Sequence, residues 1–452
     1  MAETRSSSPD RAPAGAPPSA PAADGLAARS AALDLLERIR DGASLDEALS
    51  ACRSFEALEG ADRRFARALA TLVLRRRGTL DHVIGAYLDR PLAKRAVRVM
   101  DVLRIAGAQL LFMETPPHAA VSTAVSVVGE RRENAGYAKL VNAITRKIAK
   151  SGAKTIDGLP DRIDTPSWMW RRWERSFGPK AARAIAQAHR APAPLDLTLK
   201  DAATASDWAD RLDAEQIFPG TVRLRESAPV KSLPGFDEGA WWVQDAAASL
   251  PARLLGDVAG KRVFDLCAAP GGKTLQLAAT GARVVAVDKS ESRIERLREN
   301  LNRTGLQAQI IEADVLKWSP AEKADAILLD APCTATGTIR RHPDLPWSKT
   351  DEQVASLAKL QAQMIDVAVS MLAPGGVLVY CVCSLEPEEG ERQITAALER
   401  HDGLTLEPVT ADDLGGFAQG VSRGGHLRTA PFMLADKGGM DGFFAARLRL
   451  NP

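Results

Sequence analysis

The chain has 452 residues, 45% hydrophobic and 26% charged, with a formal net charge of +2 and five cysteines. That length predicts two or three domains with ordinary globular cores. An odd number of irregularly spaced cysteines argues against a disulfide framework and for a reducing, cytoplasmic setting, and no apolar run reaches the ~18 residues that a membrane helix needs.

Residues 1–25, "MAETRSSSPDRAPAGAPPSAPAADG", are rich in Pro, Ala and Ser, lack a signal-peptide apolar core and predict a disordered tail. Residues 26–150 read as an all-α domain. "ARSAALDLLERIRDG" repeats apolar residues at helical spacing, and "SLDEALSACR" opens on Ser44 with Glu47 three residues on, a capping-box pattern. Between Ala51 and Lys150 stand 18 Lys and Arg against 9 Asp and Glu, with "RRR" at 75–77 and "KRAVR" at 94–98. Such an excess is either a solvated helical face or a surface for phosphates.

Residues 151–245 predict a small α+β connecting domain. "TPSWMWRRWERSFG" sets Trp168, Trp170 and Trp173 among Arg171, Arg172 and Arg175, a mixture that suits base stacking and equally suits a packed helix face. "PLDLTLK" and "TVRLRE" read as strands. From residue 246 to the end, strands alternate with helices: "KRVFDLC", "ARVVAVD", "AQIIEAD", "ADAILLD" and "GVLVYCVCS" are the strands. The pattern predicts an α/β Rossmann-like domain whose ligand lies at the carboxyl ends of a parallel sheet.

The first turn of that domain is "DLCAAPGGKT". A phosphate-binding P-loop needs glycine six residues before its lysine, where this chain has Cys267. The G-x-G-x-x-G spacing of a NAD site is also missing. Asp288, Asp314 and Asp330 close three successive strand patterns after the turn. Acids in register beside a turn with no phosphate anchor suit a cationic adenosine-type ligand such as S-adenosylmethionine, although each aspartate alone could be a helix cap. Two further strand ends carry cysteine: Cys333 in "DAPCTATGTIRRHPDLPW", and Cys381 and Cys383 in "LVYCVCSLEPEEGE". A thiolate that adds at C6 of cytosine turns C5 into a carbon able to attack a sulfonium methyl, so a cysteine beside such a methyl donor has a use. On a strand, Cys381 and Cys383 point to one face, and Cys383 lies nearer the carboxyl edge where ligands sit.

These three motifs, with "LPGFDEGAWWVQDAAA" and "GGMDGFFAARL", resemble those of the RsmB-type RNA cytosine-C5 methyltransferases of the Sun family. The stretch 26–150 is similar to the NusB-type RNA-binding domain joined to these enzymes. The resemblance implies a class I S-adenosylmethionine-dependent fold and methyl transfer to C5 of a cytosine, in 16S ribosomal RNA. It implies Cys383 as nucleophile, Cys333 as the residue that assists product release, and Asp330 as a catalytic acid that also borders the cofactor. Cofactor binding falls on Cys267, Ala268, Ala269, Pro270, Gly271, Gly272, Lys273, Asp288, Arg293, Asp314 and Asp330. Residues 26–150 and 151–245 would hold the RNA, with Arg340, Arg341 and His342 lining the entrance. The expected enzyme works as a cytoplasmic monomer without metal or membrane. Two positions depart from the family pattern: Val382 stands where Thr is usual and Gly390 where Asn is frequent. An RNA-binding assembly factor with a spent methyltransferase fold is the alternative, and a DNA methyltransferase is disfavoured by Cys383 and the basic helical domain.

Overall fold

A computed structural model describes residues 25–226 and 228–452. The tail expected over residues 1–25 therefore lies, except for Gly25, outside the described residues. The chain divides into two compact units. Of the described residues, the first holds those up to Arg38, with Leu49–Val73 and His82–Thr155, and the second holds Ile39–Ala48, Leu74–Asp81 and those from Ile156 to Pro452.

Helices Leu26–Arg40, Gly60–Arg75, Val97–Phe112, Pro117–Gly129 and Ala138–Ile156 supply the first unit, and no strand precedes Asp196 among the described residues. Ala28, Ala31, Ala32, Leu35, Leu36 and Ile39 are buried, which is the three-and-four spacing read from the sequence. Buried charge is met by partners: Arg98 meets Glu37 at 2.7 Å and Arg104 meets Asp101 at 2.7 Å, while Arg29 donates to the Gln109 side chain and the Gly25 carbonyl, each at 2.7 Å. Within Ile39–Ala48, which belongs to the second unit, the capping box forms as expected. The Ser44 N–H donates to the Glu47 carboxylate at 2.8 Å, and the Glu47 N–H donates to the Ser44 hydroxyl at 3.3 Å.

In the second unit, helix Ser167–Ala188 is interrupted at Gly178, whose φ of 80° lies in the left-handed region that glycine tolerates. Met169 and Trp173 are buried on it, and Trp168 and Trp170 pack half-buried beside them with Ile185, Ile339 and Leu385. Of the two readings of this tryptophan run, the structure gives the packed face.

A small antiparallel sheet follows, built from β1 (Asp196–Leu199), β2 (Ala214–Phe218), β3 (Thr221–Leu224) and β4 (Trp241–Val243) in the order β2-β3-β1-β4. Strands β1 and β3 were legible as apolar alternations, whereas β2 and β4 were not. The large sheet holds β5 (Arg262–Leu266), β6 (Arg283–Asp288), β7 (Gln309–Glu312), β8 (Ala324–Asp330), β9 (Leu372–Val382), β10 (Leu404–Glu407), β11 (Leu427–Arg428) and β12 (Phe444–Leu450). Its order is β10-β12-β9-β8-β5-β6-β7, with β11 beside β12. Strands β5 to β9 pair in parallel, and β12 runs antiparallel between β9 and β10. Both faces are covered, as a parallel sheet requires. Val263, Leu328, Val379 and Cys381 join one apolar layer, and Phe264, Leu329, Tyr380 and Val382 the other.

Candidate active site

The carboxyl ends of β5, β6, β8 and β9 meet at one edge. After β5, Cys267 adopts a left-handed φ of 65°, and its N–H and that of Ala268 donate to the Val287 carbonyl at 2.8 and 3.1 Å. Gly271 has φ 107°, and a Cβ there would lie 2.4 Å from a Leu297 methyl, so the turn requires glycine on two counts. Helix Gly272–Ala279 then starts and carries Lys273 back toward the sheet.

Three carboxylates surround the turn. Asp288 ends β6; one of its oxygens accepts from the Ala269 N–H and the other from the Ser290 N–H, each at 3.0 Å. Each oxygen keeps a second lone pair for a hydroxyl donor. Arg293 lies 3.6 Å from Asp288 and also donates to the Ala269 carbonyl, so it braces the turn. Asp265 is buried, with one oxygen taking the Thr274 hydroxyl at 2.5 Å and Oδ1 without any partner. Burial, with Asp330 and Asp288 nearby, pushes its pKa up to about 7. Asp314 is half-exposed two residues past the end of β7, and one oxygen accepts from the Leu316 N–H at 3.1 Å. An orphan carboxylate oxygen and open acceptors around a strained turn fit a ligand that brings hydroxyl donors and positive charge.

The cysteines stand beside this turn. Asp330 pairs with Cys381 in the β8–β9 ladder, and the Cys333 and Cys383 sulfurs, just past the two strand ends, are 3.5 Å apart. Cys381 is fully buried and donates to Asp330 Oδ1 at 3.5 Å. Cys381 and Cys383 contact one apolar layer while Val382 enters the other, which is the alternation expected of the pair. The hydrogen bond with Cys383, followed by burial, holds the Cys333 thiol well above its ordinary pKa. Burial does the same for Cys381 and Cys267. Lys273 donates to Asp330 at 2.7 Å and lies over the Phe443 ring at 5.1 Å. Burial disfavours its charge, but Asp330, with Cys381 and Cys383 in range, more than offsets this, so Lys273 stays protonated. The Asp330 side chain remains 32% exposed and can meet a ligand.

Sequence reasoning missed Glu389. It is 0% exposed and accepts from the Thr334 N–H at 2.9 Å, the Thr334 hydroxyl at 2.5 Å, the Ser384 hydroxyl at 2.5 Å and Gln361 at 3.1 Å. Thr334 follows Cys333 and Ser384 follows Cys383, so one carboxylate ties together both cysteine-bearing segments. The available signal was a run of acids directly after an apolar strand. Next to it, Gly390 leaves room for Arg428; a Cβ there would lie 2.8 Å from the guanidinium, which donates to the Ser384 carbonyl at 2.7 Å.

The expected entrance residues stand elsewhere. The Arg340 side chain is 2% exposed, 3.4 Å from Asp441 and 3.7 Å from Asp245. Arg341 meets Asp245 at 2.5 Å and Asp441 at 3.0 Å. Two buried carboxylates draw both guanidinium groups inward, and of the three residues only His342 is exposed enough to face an incoming ligand.

Residues 252–449 match the family model described as 16S rRNA methyltransferase RsmB/F, and residues 26–150 match the NusB family. The chain is 36% identical over 397 residues to the ribosomal RNA small subunit methyltransferase B of Citrobacter koseri, covering 84% of this chain and 91% of that one. It is 33% identical over 404 residues to the protein of the same name from an Enterobacter species, covering 85% and 93%. Among solved structures, PH0851 superposes with a TM-score of 0.74 at 22% identity, over 93% of this chain and 98% of that one. A methyltransferase homologue from Pyrococcus horikoshii gives a TM-score of 0.53 at 28% identity, over 62% and 93%. The chain belongs to the RsmB/F family of 16S rRNA methyltransferases, with a NusB-family region preceding the methyltransferase fold.

Proposed function

We propose that this chain methylates C5 of a cytosine in 16S ribosomal RNA through a covalent bond between Cys383 and C6 of the base. The observation that carries this reading is the 3.5 Å approach of Cys333 and Cys383 beside the Lys273–Asp330 pair at one sheet edge. S-adenosylmethionine, when bound, supplies an electrophilic methyl group on a sulfonium centre. The turn Cys267–Lys273 would hold it, with Asp288 toward the ribose, Asp314 toward the adenine and Arg293 bracing the turn. Asp265, with its orphan oxygen, suits the ligand's positive charge.

The target base has to leave its stack to reach a sulfur at this depth. Asp330 then faces the polar N3/N4 edge of the base while Lys273 supports the developing charge. The Cys383 thiolate adds at C6, which makes C5 an enamine carbon able to take the methyl group. Loss of the C5 proton to a base and cleavage of the C6–S bond restore the aromatic ring and expel Cys383 as a thiolate. Cys333, held as a thiol within 3.5 Å, is placed to assist this release. No described helix is long and apolar enough to cross a membrane. The same reading has the enzyme working in the cytoplasm as a monomer without metal, with residues 26–150 and 151–245 as RNA-holding domains ahead of a methyltransferase domain at 246–452.

The test is a pair of variants. Cys383→Ala is expected to abolish methyl incorporation and leave S-adenosylmethionine binding intact, and Cys333→Ala to accumulate a protein–RNA adduct that survives denaturation. An adduct retained in Cys383→Ala and lost in Cys333→Ala would reverse the two roles. Bisulfite sequencing of RNA from a deletion strain identifies the target by the 5-methylcytosine that disappears.

A further inference from the structure

The basic excess in the helical region has a specific address. The arginine-rich runs that stand out in the sequence are largely committed to the fold. Arg75 donates to the carbonyls of His189, Ala191 and Arg340 at 3.0, 3.1 and 3.0 Å, Arg76 pairs with Asp164 at 3.3 Å, and Arg77 lies 4.8 Å from the Trp347 ring centre. In the first unit, Arg98 and Arg131 share Glu37, at 2.7 and 2.8 Å.

Helix Ala138–Ile156 is built differently. It carries Lys139, Arg146, Lys147, Lys150 and Lys154 and no acidic residue, and all five cations are exposed. Arg146 donates to Asn142 at 3.1 Å, and among the described residues none of the five forms an ion pair. At 100° per residue the five fall within an arc of about 100°, spread over roughly 22 Å of helix. Val141, Ile144, Thr145, Ile148 and Gly152 are buried on the opposite arc. One face anchors the helix, and the other is a row of cations with small Ala143 among them.

We infer that this row is the phosphate-binding surface of the first unit, and that it tracks the backbone of the RNA substrate. The inference rests on the proposed action on RNA. An unpaired row of this length matches a polyanion with regularly spaced charges, and it makes contacts that carry no base information. Four of the 18 cations counted between Ala51 and Lys150, with Lys154 beyond them, thus stand on one face of one helix.

The probe is transcribed 16S rRNA, and the readout is the salt dependence of its binding to the full chain between about 50 and 300 mM KCl. Each of Lys139→Gln, Arg146→Gln, Lys147→Gln, Lys150→Gln and Lys154→Gln should reduce the slope of log K against log salt by roughly 0.7–0.9 and weaken binding about fivefold near 0.1 M salt. Gln is close to Lys and Arg in helix propensity, so the helix should persist. Arg64→Gln and Arg67→Gln, at exposed sites of helix Gly60–Arg75, should leave the slope unchanged. An unchanged slope in a variant that combines all five substitutions, or an equal loss in the Arg64 and Arg67 controls, overturns the surface. Because the assay does not depend on methyl transfer, a parent protein that binds with the expected slope but methylates nothing overturns the proposed reaction and supports the surface.

Discussion

Two acidic clusters lie buried in the second unit, and they are satisfied in opposite ways. Glu389 is met by neutral donors from Thr334, Ser384 and Gln361. Asp245 and Asp441 are met by the guanidinium groups of Arg340 and Arg341. Neutral hydrogen bonds are directional, and those from Thr334 and Ser384 end on the two segments that carry Cys333 and Cys383. The guanidinium pairs fasten the segment after β4, through Asp245, and the segment before β12, through Asp441, to the loop after β8. The first cluster sets a geometry and the second holds pieces together. A further cation beside the thiols would compete with Lys273 for control of their charge, and the neutral donors around Glu389 avoid that.

Four measurements break or sharpen this contrast. The largest effect is expected of Glu389→Leu, which strands the donors of Thr334, Ser384 and Gln361. Stability should fall by about 3–5 kcal/mol, and methylation per folded molecule by roughly 100-fold or more, since misplacement of reacting groups by about 1 Å costs that much. Urea titration and methyl incorporation read the two separately, and full activity in the folded fraction would dissolve the distinction between the clusters. Arg341→Met leaves Asp245 and Asp441 short of a cation and should also cost about 3–5 kcal/mol. Its activity per folded molecule should stay close to the parent's, and a matching loss of specific activity would show that the second cluster also positions the thiols.

Asp265 is a third case, a buried acid with one hydroxyl donor and one orphan oxygen. Its pKa rises from 3.8 to about 7 on folding, so its contribution to stability is fully present below the unfolded value and is lost as pH rises through the folded one. Asp265→Asn should therefore gain on the parent across that window, by roughly 2–4 kcal/mol at its upper end. Parallel pH profiles of parent and variant in urea unfolding would refute this. The smallest effect is expected of Val382→Thr. Val382 is buried in the apolar layer with Tyr380 and Phe444, on the face away from Cys381 and Cys383. Exchanging a buried methyl for a hydroxyl should cost about 1–3 kcal/mol and change the methylation rate less than threefold, since the side chain faces away from both sulfurs.

The sheet was legible from the sequence because its central strands are apolar runs closed by Asp, Cys or Gly. That pattern located the turn at Gly271, the acids Asp288 and Asp330, and the cysteine-bearing strand ends. What was not legible depends on distance along the chain. Glu389 and Thr334 are separated by 55 residues and meet only once β8 and β9 pair. Strands β10 to β12 come from a region with no strong alternation, with β12 antiparallel to each strand beside it, and Asp314 falls past the hydrogen-bonded end of β7 because the ladder closes at Glu312. Arg340 and Arg341 read as surface cations because their carboxylate partners, Asp245 and Asp441, lie about a hundred residues away in opposite directions along the chain.

The β8–β9 ladder also determines which changes of length the enzyme can absorb. Asp330 stands opposite Cys381, and the Cys333 and Cys383 sulfurs lie just beyond that rung. Their spacing is counted along the strands and not around the connection between them. Residues added within the exposed start of helix Asp351–Met371, or in the turn before it, leave the rung intact. A single residue added between Leu378 and Cys381 would turn every later side chain to the opposite layer. Cys383 would then enter the apolar layer that now holds Val382, and the partner of Cys333 would be a different residue.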